Sequence, residues 1–319
     1  MTTPRLLADI GATNARFALL FPGRSMPTGL AVLQCREHAT LFDAICSYLA
    51  HHTLVAPRSC AIGIATPVLG DSISMTNHPW SFSVRELQAA LALERLIVIN
   101  DFTALALALP LLQEHELRGI GPGQARPGAP KVVLGPGTGL GVAALITHGN
   151  QSVALAGEGG HTTLCATDES EEAVIAKLRQ RFGHASAERA LSGPGLVNLY
   201  LACCEIAGRT PRVLEPEQVS ALALGDEDPM CRRAVEMFVA LLGTTAGNLA
   251  LTLGALGGVY IGGGIVPRLM ALMEPAQFRA RFEAKGRFAG YLREIPTWVI
   301  ASDFPAALLG AARALEMAE

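Results

Sequence analysis

A chain of 319 residues, 50% hydrophobic and 17% charged with 33 glycines, is long enough for two ordinary domains, and that composition excludes disordered and fibrous classes. A formal net charge of −3 with no local Lys/Arg cluster excludes an electrostatic footprint for nucleic acid or an anionic membrane. The cysteines, Cys35, Cys46, Cys60, Cys165, Cys203, Cys204 and Cys231, form no C-x-x-C pair and no Cys/His ligand spacing, which argues against zinc and a disulfide framework and fits a reducing cytoplasm.

The first third reads strand, turn, strand in "LLADI" and "ARFALLF", with Asp9 interrupting the apolar run after Arg5 before it reaches signal-peptide length. A helix near Leu41 to His51 follows, then the strand "CAIGIATPV", a loop through "GDSISMTNHPWSFS", a helix near Val84 to Leu93, the strand "RLIVIN" and a helix from Phe102 to Leu112. Hairpins alternating with crossover helices predict a mixed sheet covered by helices. The stretch "RGIGPGQARPGAP", dense in Gly and Pro, reads as a linker.

From Lys131 a second pass begins with the strand "KVVLGP", the turn "GTGLG", the strand "VAALIT", the turn "HGN" and the strand "SVALAGE", and then mostly helices. Hairpin first and helices later repeats the order of the first third, which reads as a weak internal duplication of one plan. Met237 to Pro267 contains no charged residue and holds Gly243-x-x-x-Gly247, a pattern long enough to span a bilayer. Thr244, Thr245, Asn248 and Thr252 interrupt it, and the break at Gly257 and Gly258 leads into "VYIGGG", so a buried helix followed by a buried strand is the preferred reading.

Two turns carry the chemistry. In "DIGATNARFALL" an acid, Asp9, sits beside a small polar turn, and in "LGPGTGLGVAAL" successive glycines let N–H groups converge on a phosphate, with Thr138 adding a hydroxyl. Gly139-x-Gly141-x-x-Ala144 superficially fits a dinucleotide fingerprint, but that motif needs a helix where "VAALIT" reads as a strand; a Rossmann site and a ligand-free glycine hairpin stay as alternatives. No G-x-x-x-x-G-K-[ST] occurs, so a P-loop is excluded. "INDF" places Asn100 and Asp101 at the carboxyl end of a strand, where Asp101 also suits the N-cap of the helix starting at Phe102.

Taken in order, "DIGATNARFALL", "INDF", "GPGTGLG", "GEGGHTTL", "ERALSGPGLVNLY" and "GGVYIGGGI" span nearly the whole chain and closely resemble the bacterial ATP-dependent glucokinases, within the sugar kinase, actin and Hsp70 ATPase group. The resemblance implies an α/β, two-lobed actin-like ATPase (ribonuclease H-like) fold, each lobe a mixed sheet with flanking helices and a cleft between them. The lobes are expected at residues 1–112 plus 300–319 and at residues 113–299. It further implies a cytoplasmic homodimer whose ligands are glucose, ATP and Mg2+.

By the same resemblance Gly11, Ala12, Thr13 and Asn14 with Gly137, Thr138 and Gly139 hold the nucleotide phosphates, and Asp9 holds magnesium through water. Gly262, Gly263 and Gly264 let a base or ribose lie close to backbone. Asp101 is the implied catalytic base, and Asn100, Glu158, His161 and Glu188 with it face the sugar hydroxyls, a set of polar groups suited to a polyol. Ala12 departs from the family, many members of which carry glycine there. Locally, His161 also reads as a structural histidine, Glu188 as a solvated helix residue, and Asn77 and His78 as part of a loop packed around Trp80. ROK relatives that sense sugars carry a helix-turn-helix ahead of the phosphate hairpin, and ROK kinases carry a cysteine-rich zinc motif that "GEGGHTTLCATDESEE" lacks. A non-catalytic sugar- or nucleotide-binding regulator on the same fold is the alternative reading.

Overall fold

The computed structural model describes residues 3–53, 55–149, 151–272 and 275–318. Its elements run β1 (Arg5–Ile10), β2 (Asn14–Leu20), β3 (Thr28–Gln34), α1 (Leu41–His52), β4 (Ser59–Ile64), β5 (Ser72–Ser74), β6 (Ser81–Ser83), α2 (Val84–Ala90), β7 (Arg95–Asn100) and α3 (Asp101–Ala108). They continue with β8 (Leu117–Gly119), β9 (Lys131–Pro136), β10 (Leu140–His148), β11 (Gln151–Gly157), α4 (Glu169–Phe182), α5 (Gly193–Ile206), α6 (Pro216–Leu224), α7 (Pro229–Leu253) and β12 (Val259–Ile261). The last are α8 (Val266–Leu269), α9 (Pro275–Glu283), α10 (Ala289–Arg293), β13 (Thr297–Ile300) and α11 (Ala306–Met317). The chain divides into one unit of residues 1–114, 152–156 and 302–319 and another of residues 115–151 and 157–301.

In the first unit the sheet order is β3-β2-β1-β4-β7, with β1, β4 and β7 parallel and β2 antiparallel to β1. The pleat sends Leu6, Ala8 and Ile10 to one face, where they pack with Ile62, Ile64 and Tyr48, and sends Leu7 to the other, against Leu308, Ala311 and Leu315 of α11. Polar side chains cap the helices: a Thr40–Asp43 capping box opens α1, and Ser83 accepts from the Glu86 N–H at the start of α2. The segment expected as one loop through Trp80 folds instead as the antiparallel pair β5 and β6, because "SIS" and "SFS" alternate and bury Ile73. Trp80 is buried, its indole N–H donates to the His38 carbonyl, and His78 lies edge-on against its ring.

The second unit's strands run β10-β9-β12-β13-β8, so that β10-β9-β12-β13 repeats the plan of β2-β1-β4-β7, a hairpin followed by two parallel neighbours. The duplication read from the sequence is thus present in the topology. The Gly/Pro stretch expected as a linker is instead part of this unit: Leu117–Gly119 pairs with β13, Ile120 is fully buried, and its N–H donates to the Thr297 carbonyl. The uncharged stretch is the core helix α7 leading into the buried β12. Gly243 and Gly247 let it approach α9, since a Cβ at either would strike the Phe278 or Phe282 carbonyl. Small residues four apart therefore serve close helix packing inside this unit.

Candidate active site

In the first unit, register fixes one group of candidate residues. Ile10 of β1, Ile64 of β4 and Asn100 of β7 are paired across the parallel strands, so Gly11 and Asp101 leave the same edge of the sheet, at its carboxyl ends. That edge is where open α/β sheets place ligands. Adjacent strands lie about 4.8 Å apart, which puts the turn after β1 and the start of α3 about 10 Å from each other.

Between them stands Gly63, opposite both Asp9 and Ile99; a Cβ there would press on the Ala104 side chain and touch the Asp101 backbone. Asn100, rather than Asp101, caps α3: its Oδ1 accepts from the N–H groups of Phe102 and Thr103 at 2.9 and 3.2 Å. Asp101 is the first helical residue and its Oδ1 accepts from the Phe102 N–H. The capping role read for Asp101 therefore belongs to Asn100, whose Nδ2 remains to donate, 3.5 Å from the Thr66 carbonyl.

The turn after β1 closes on itself, Gly11 N–H to the Asn14 carbonyl at 3.0 Å. Cys35 braces it from behind, its N–H on the Thr13 carbonyl and its thiol on the Gly11 carbonyl. Ala12 has no positive φ, so glycine is not required there by conformation. Asp9 is largely covered; burial pushes its carboxyl above the usual range, and Arg16, donating to Oδ2 at 3.1 Å, opposes that rise.

Sequence reasoning missed Gln34, which pairs with Asn14 across β2 and β3 and donates from Nε2 to Asn14 Oδ1 at 2.7 Å. That bond holds the Asn14 amide by its oxygen, so its NH2 is the end that donates. On the phosphate-binding role that the family resemblance implies for Asn14, Gln34→Leu is expected to weaken nucleotide binding by about 2- to 10-fold, one net hydrogen bond, with kcat unchanged; an ATP KM titration checks it.

A second group of candidate residues lies in the other unit. The turn 137–139 is held by the Gly137 N–H on the Gly139 carbonyl and by the Gly193 N–H on the Gly137 carbonyl, both at 2.8 Å. Thr138 is exposed and Gly139 half-buried. Ile261 of β12 pairs with Leu134 of β9, so 262–264 emerges beside this turn; the Gly262 N–H donates to the Leu134 carbonyl. Gly263 has φ +80°, and a Cβ there would collide with the Pro136 carbonyl.

Glu188 sits on a short 3-10 turn rather than an exposed helix, and its Oε2 accepts from the Leu140 N–H at 2.9 Å. Glu158 and His161 flank Gly159 and Gly160, with 4.0 Å between the Glu158 Oε2 and His161 Nε2 and both side chains about 60% exposed. Gly160 is packed on the Leu140 carbonyl, which leaves no room for a side chain. The structure thus gathers 137–139, 158–161 and 188 around Leu140.

Beside the turn a mostly apolar groove of about 230 Å3 is lined by Leu196, Pro216, Ser220, Leu224, Ile265 and Arg268. Pro216 borders Gly193, and Ile265 directly follows Gly264. These lining residues carry no motif, and their grouping depends on how α5, α6 and α8 pack. Among the described residues no cluster of three or more His, Cys, Asp or Glu side chains forms a cage for a metal.

The chain matches the family model described as Glucokinase over residues 6–318. It is 52% identical over 318 residues to a glucokinase of Aromatoleum aromaticum, covering 99% of this chain and 96% of that one. The crystal structure of a glucokinase from an Antarctic psychrotroph superposes with a TM-score of 0.88 at 35% identity, covering 99% of this chain and all of that one. A ROK family glucokinase from Streptomyces griseus, solved in complex with glucose and AMPPNP, shares the fold at a TM-score of 0.64 and 17% identity over 98% of each chain. The fold is therefore the actin-like ATPase fold of sugar kinases, and with nearly every residue inside the family match, the chain belongs to the glucokinase family.

Proposed function

We propose that the chain transfers the γ-phosphoryl group of Mg·ATP to the 6-hydroxyl of glucose, giving glucose 6-phosphate and ADP. The observation that carries this reading is the register of β1, β4 and β7, which sets Asp101 and the polar turn 11–14 at one edge of one sheet. A pure binding protein has no need of a carboxylate base beside a phosphate turn.

In this reading Asp101 orients the 6-hydroxyl in line with the γ-phosphorus and takes its proton late, as a loose transition state requires. Asn100 donates from Nδ2 to a neighbouring hydroxyl, and Glu158, His161 and Glu188 pair with others. The N–H groups of Ala12, Thr13, Thr138 and Gly139, the hydroxyls of Thr13 and Thr138 and the Asn14 amide hold the phosphates. Gly11 and Gly137, whose own N–H groups close their turns, contribute the absence of a side chain. The base and ribose lie along Gly262, Gly263 and Gly264 and the groove beside them.

The donor set suits magnesium: Arg16 occupies one oxygen of Asp9, and a cation that keeps its waters needs only the other. When bound, magnesium neutralises charge on the phosphates. Arg16→Met removes the group opposing the raised Asp9 carboxyl, so more of Asp9 is protonated as pH falls. The expected result is a larger rise in the Mg2+ requirement at pH 6 than at pH 8; an equal rise at both contradicts it. All seven cysteines are free, which supports a cytoplasmic location, and family resemblance supports a homodimer.

The test is ADP release from Mg·ATP with glucose, mannose, fructose, N-acetylglucosamine or no sugar. Strong turnover with glucose alone supports the reading, because a site built to pair hydroxyls rejects a mismatched analogue by up to roughly 10⁴-fold. Nucleotide binding without sugar-dependent turnover overturns it.

A further inference from the structure

Glu188 is read above as a sugar contact, yet its resolved bond goes elsewhere. Its Oε2 accepts the N–H of Leu140, the residue directly after the phosphate turn 137–139. We propose that Glu188 is a positioning residue for the nucleotide as well as a sugar ligand, one carboxylate joining the two subsites within the second unit. The proposal rests on the reading above.

Three observations converge on it. First, the Glu188 main chain is held rigidly: the Ala187 N–H donates to the Thr162 carbonyl, the Ser192 hydroxyl donates to the Glu188 carbonyl at 2.8 Å, and Gly195 packs against the 188–190 backbone. A carboxylate on so fixed a base can anchor what it touches. Second, Gly139 is shaped around it; beyond its chain neighbours, a Cβ there would overlap Oε2 of Glu188, press on its Cδ and meet no other residue within 4 Å. A side chain at the turn would thus displace the carboxylate while leaving the backbone undisturbed. Third, Leu140 carries both sides, with its N–H on Glu188 and its carbonyl against Gly160 between Glu158 and His161.

The carboxylate's second oxygen, Oε1, then faces a sugar hydroxyl while Oε2 keeps Leu140 and the turn in place. Sugar that fixes the carboxylate also fixes the turn, and by linkage nucleotide that orders the turn favours sugar by the same factor. The coupling needs no movement of distant elements.

The experiment measures Mg·AMPPNP affinity by calorimetry on the full chain without sugar, and glucose KM in turnover, for Glu188→Ala, Glu188→Gln and Gly139→Ala. Glu188→Ala is expected to weaken AMPPNP by about 10- to 150-fold although no sugar is present, the range for a lost charge-assisted hydrogen bond. Glu188→Gln keeps an oxygen that accepts from Leu140 and should hold AMPPNP affinity within about 3-fold while raising glucose KM. Gly139→Ala, a change in the phosphate turn, should raise glucose KM by about 5-fold or more.

Unchanged AMPPNP affinity in Glu188→Ala overturns the proposal, as does an equal loss in Glu188→Gln, which would make charge and not the hydrogen bond responsible. If Glu188→Ala fails to fold, Gly139→Ala decides, and an unchanged glucose KM there overturns the proposal. Loss of glucose-dependent turnover in the unsubstituted chain would instead refute the functional reading itself, so the two failures are distinct.

Discussion

Asp101→Ala is expected to lower kcat by about 10²- to 10⁴-fold, the usual worth of a general base, while the KM for ATP stays within about 2-fold. The split follows from position. Asp101 opens α3 at the end of β7, two strands away from the turn after β1, and in the proposed function its loss removes an interaction with the reacting hydroxyl while the phosphate turn stays in place. The cap of α3 survives, because Asn100 supplies it from Oδ1. A stable, nucleotide-binding and nearly inactive variant is therefore expected; steady-state kinetics beside a thermal melt checks it, and a kcat near that of the unsubstituted chain contradicts the assignment.

Gly310→Ala destabilises the first unit by about 1–3 kcal/mol, the range for overpacking a close contact. Gly310 lies on α11 where that helix crosses α3, and a Cβ there would lie inside the Ala104 carbonyl oxygen. The clash is with backbone, so it is relieved only by moving one helix. Since α3 carries Asp101 at its first position, kcat should fall with stability. Gly290→Ala on α10 meets no atom within 4 Å and is the control, expected to be neutral or stabilising by about 0.4–1 kcal/mol. Urea denaturation reads both; a Gly310→Ala midpoint equal to that of the unsubstituted chain contradicts the packing argument.

Glycines and local polar residues made much of the candidate site legible in the sequence. The turns 11–14 and 137–139 announce themselves because a tight polar turn after an apolar strand has few physical uses, and the repeat of hairpin and helices foretold the two sheets. What was illegible depends on contacts across long separations. Gln34 reaches Asn14 through the β2–β3 register, 20 residues away, and Glu188 reaches Leu140 across 48. Neither pair has a local signature.

The misread linker shows the same limit. Gly and Pro density marks irregular backbone, but it does not reveal that Ile120 is buried and hydrogen-bonded beside β13. At the start of α3 the sequence points to Asp101 as the cap, but the hydrogen bonds give that place to Asn100, whose neighbouring carboxylate is equally suited by type.

The most direct test of the central claim is the product itself. Incubation with glucose and Mg·ATP, followed by phosphorus NMR, should give ADP and a single new phosphomonoester at carbon 6 of glucose. A phosphoryl group on another hydroxyl would contradict the assigned acceptor, and inorganic phosphate alone would contradict the account of a sugar kinase.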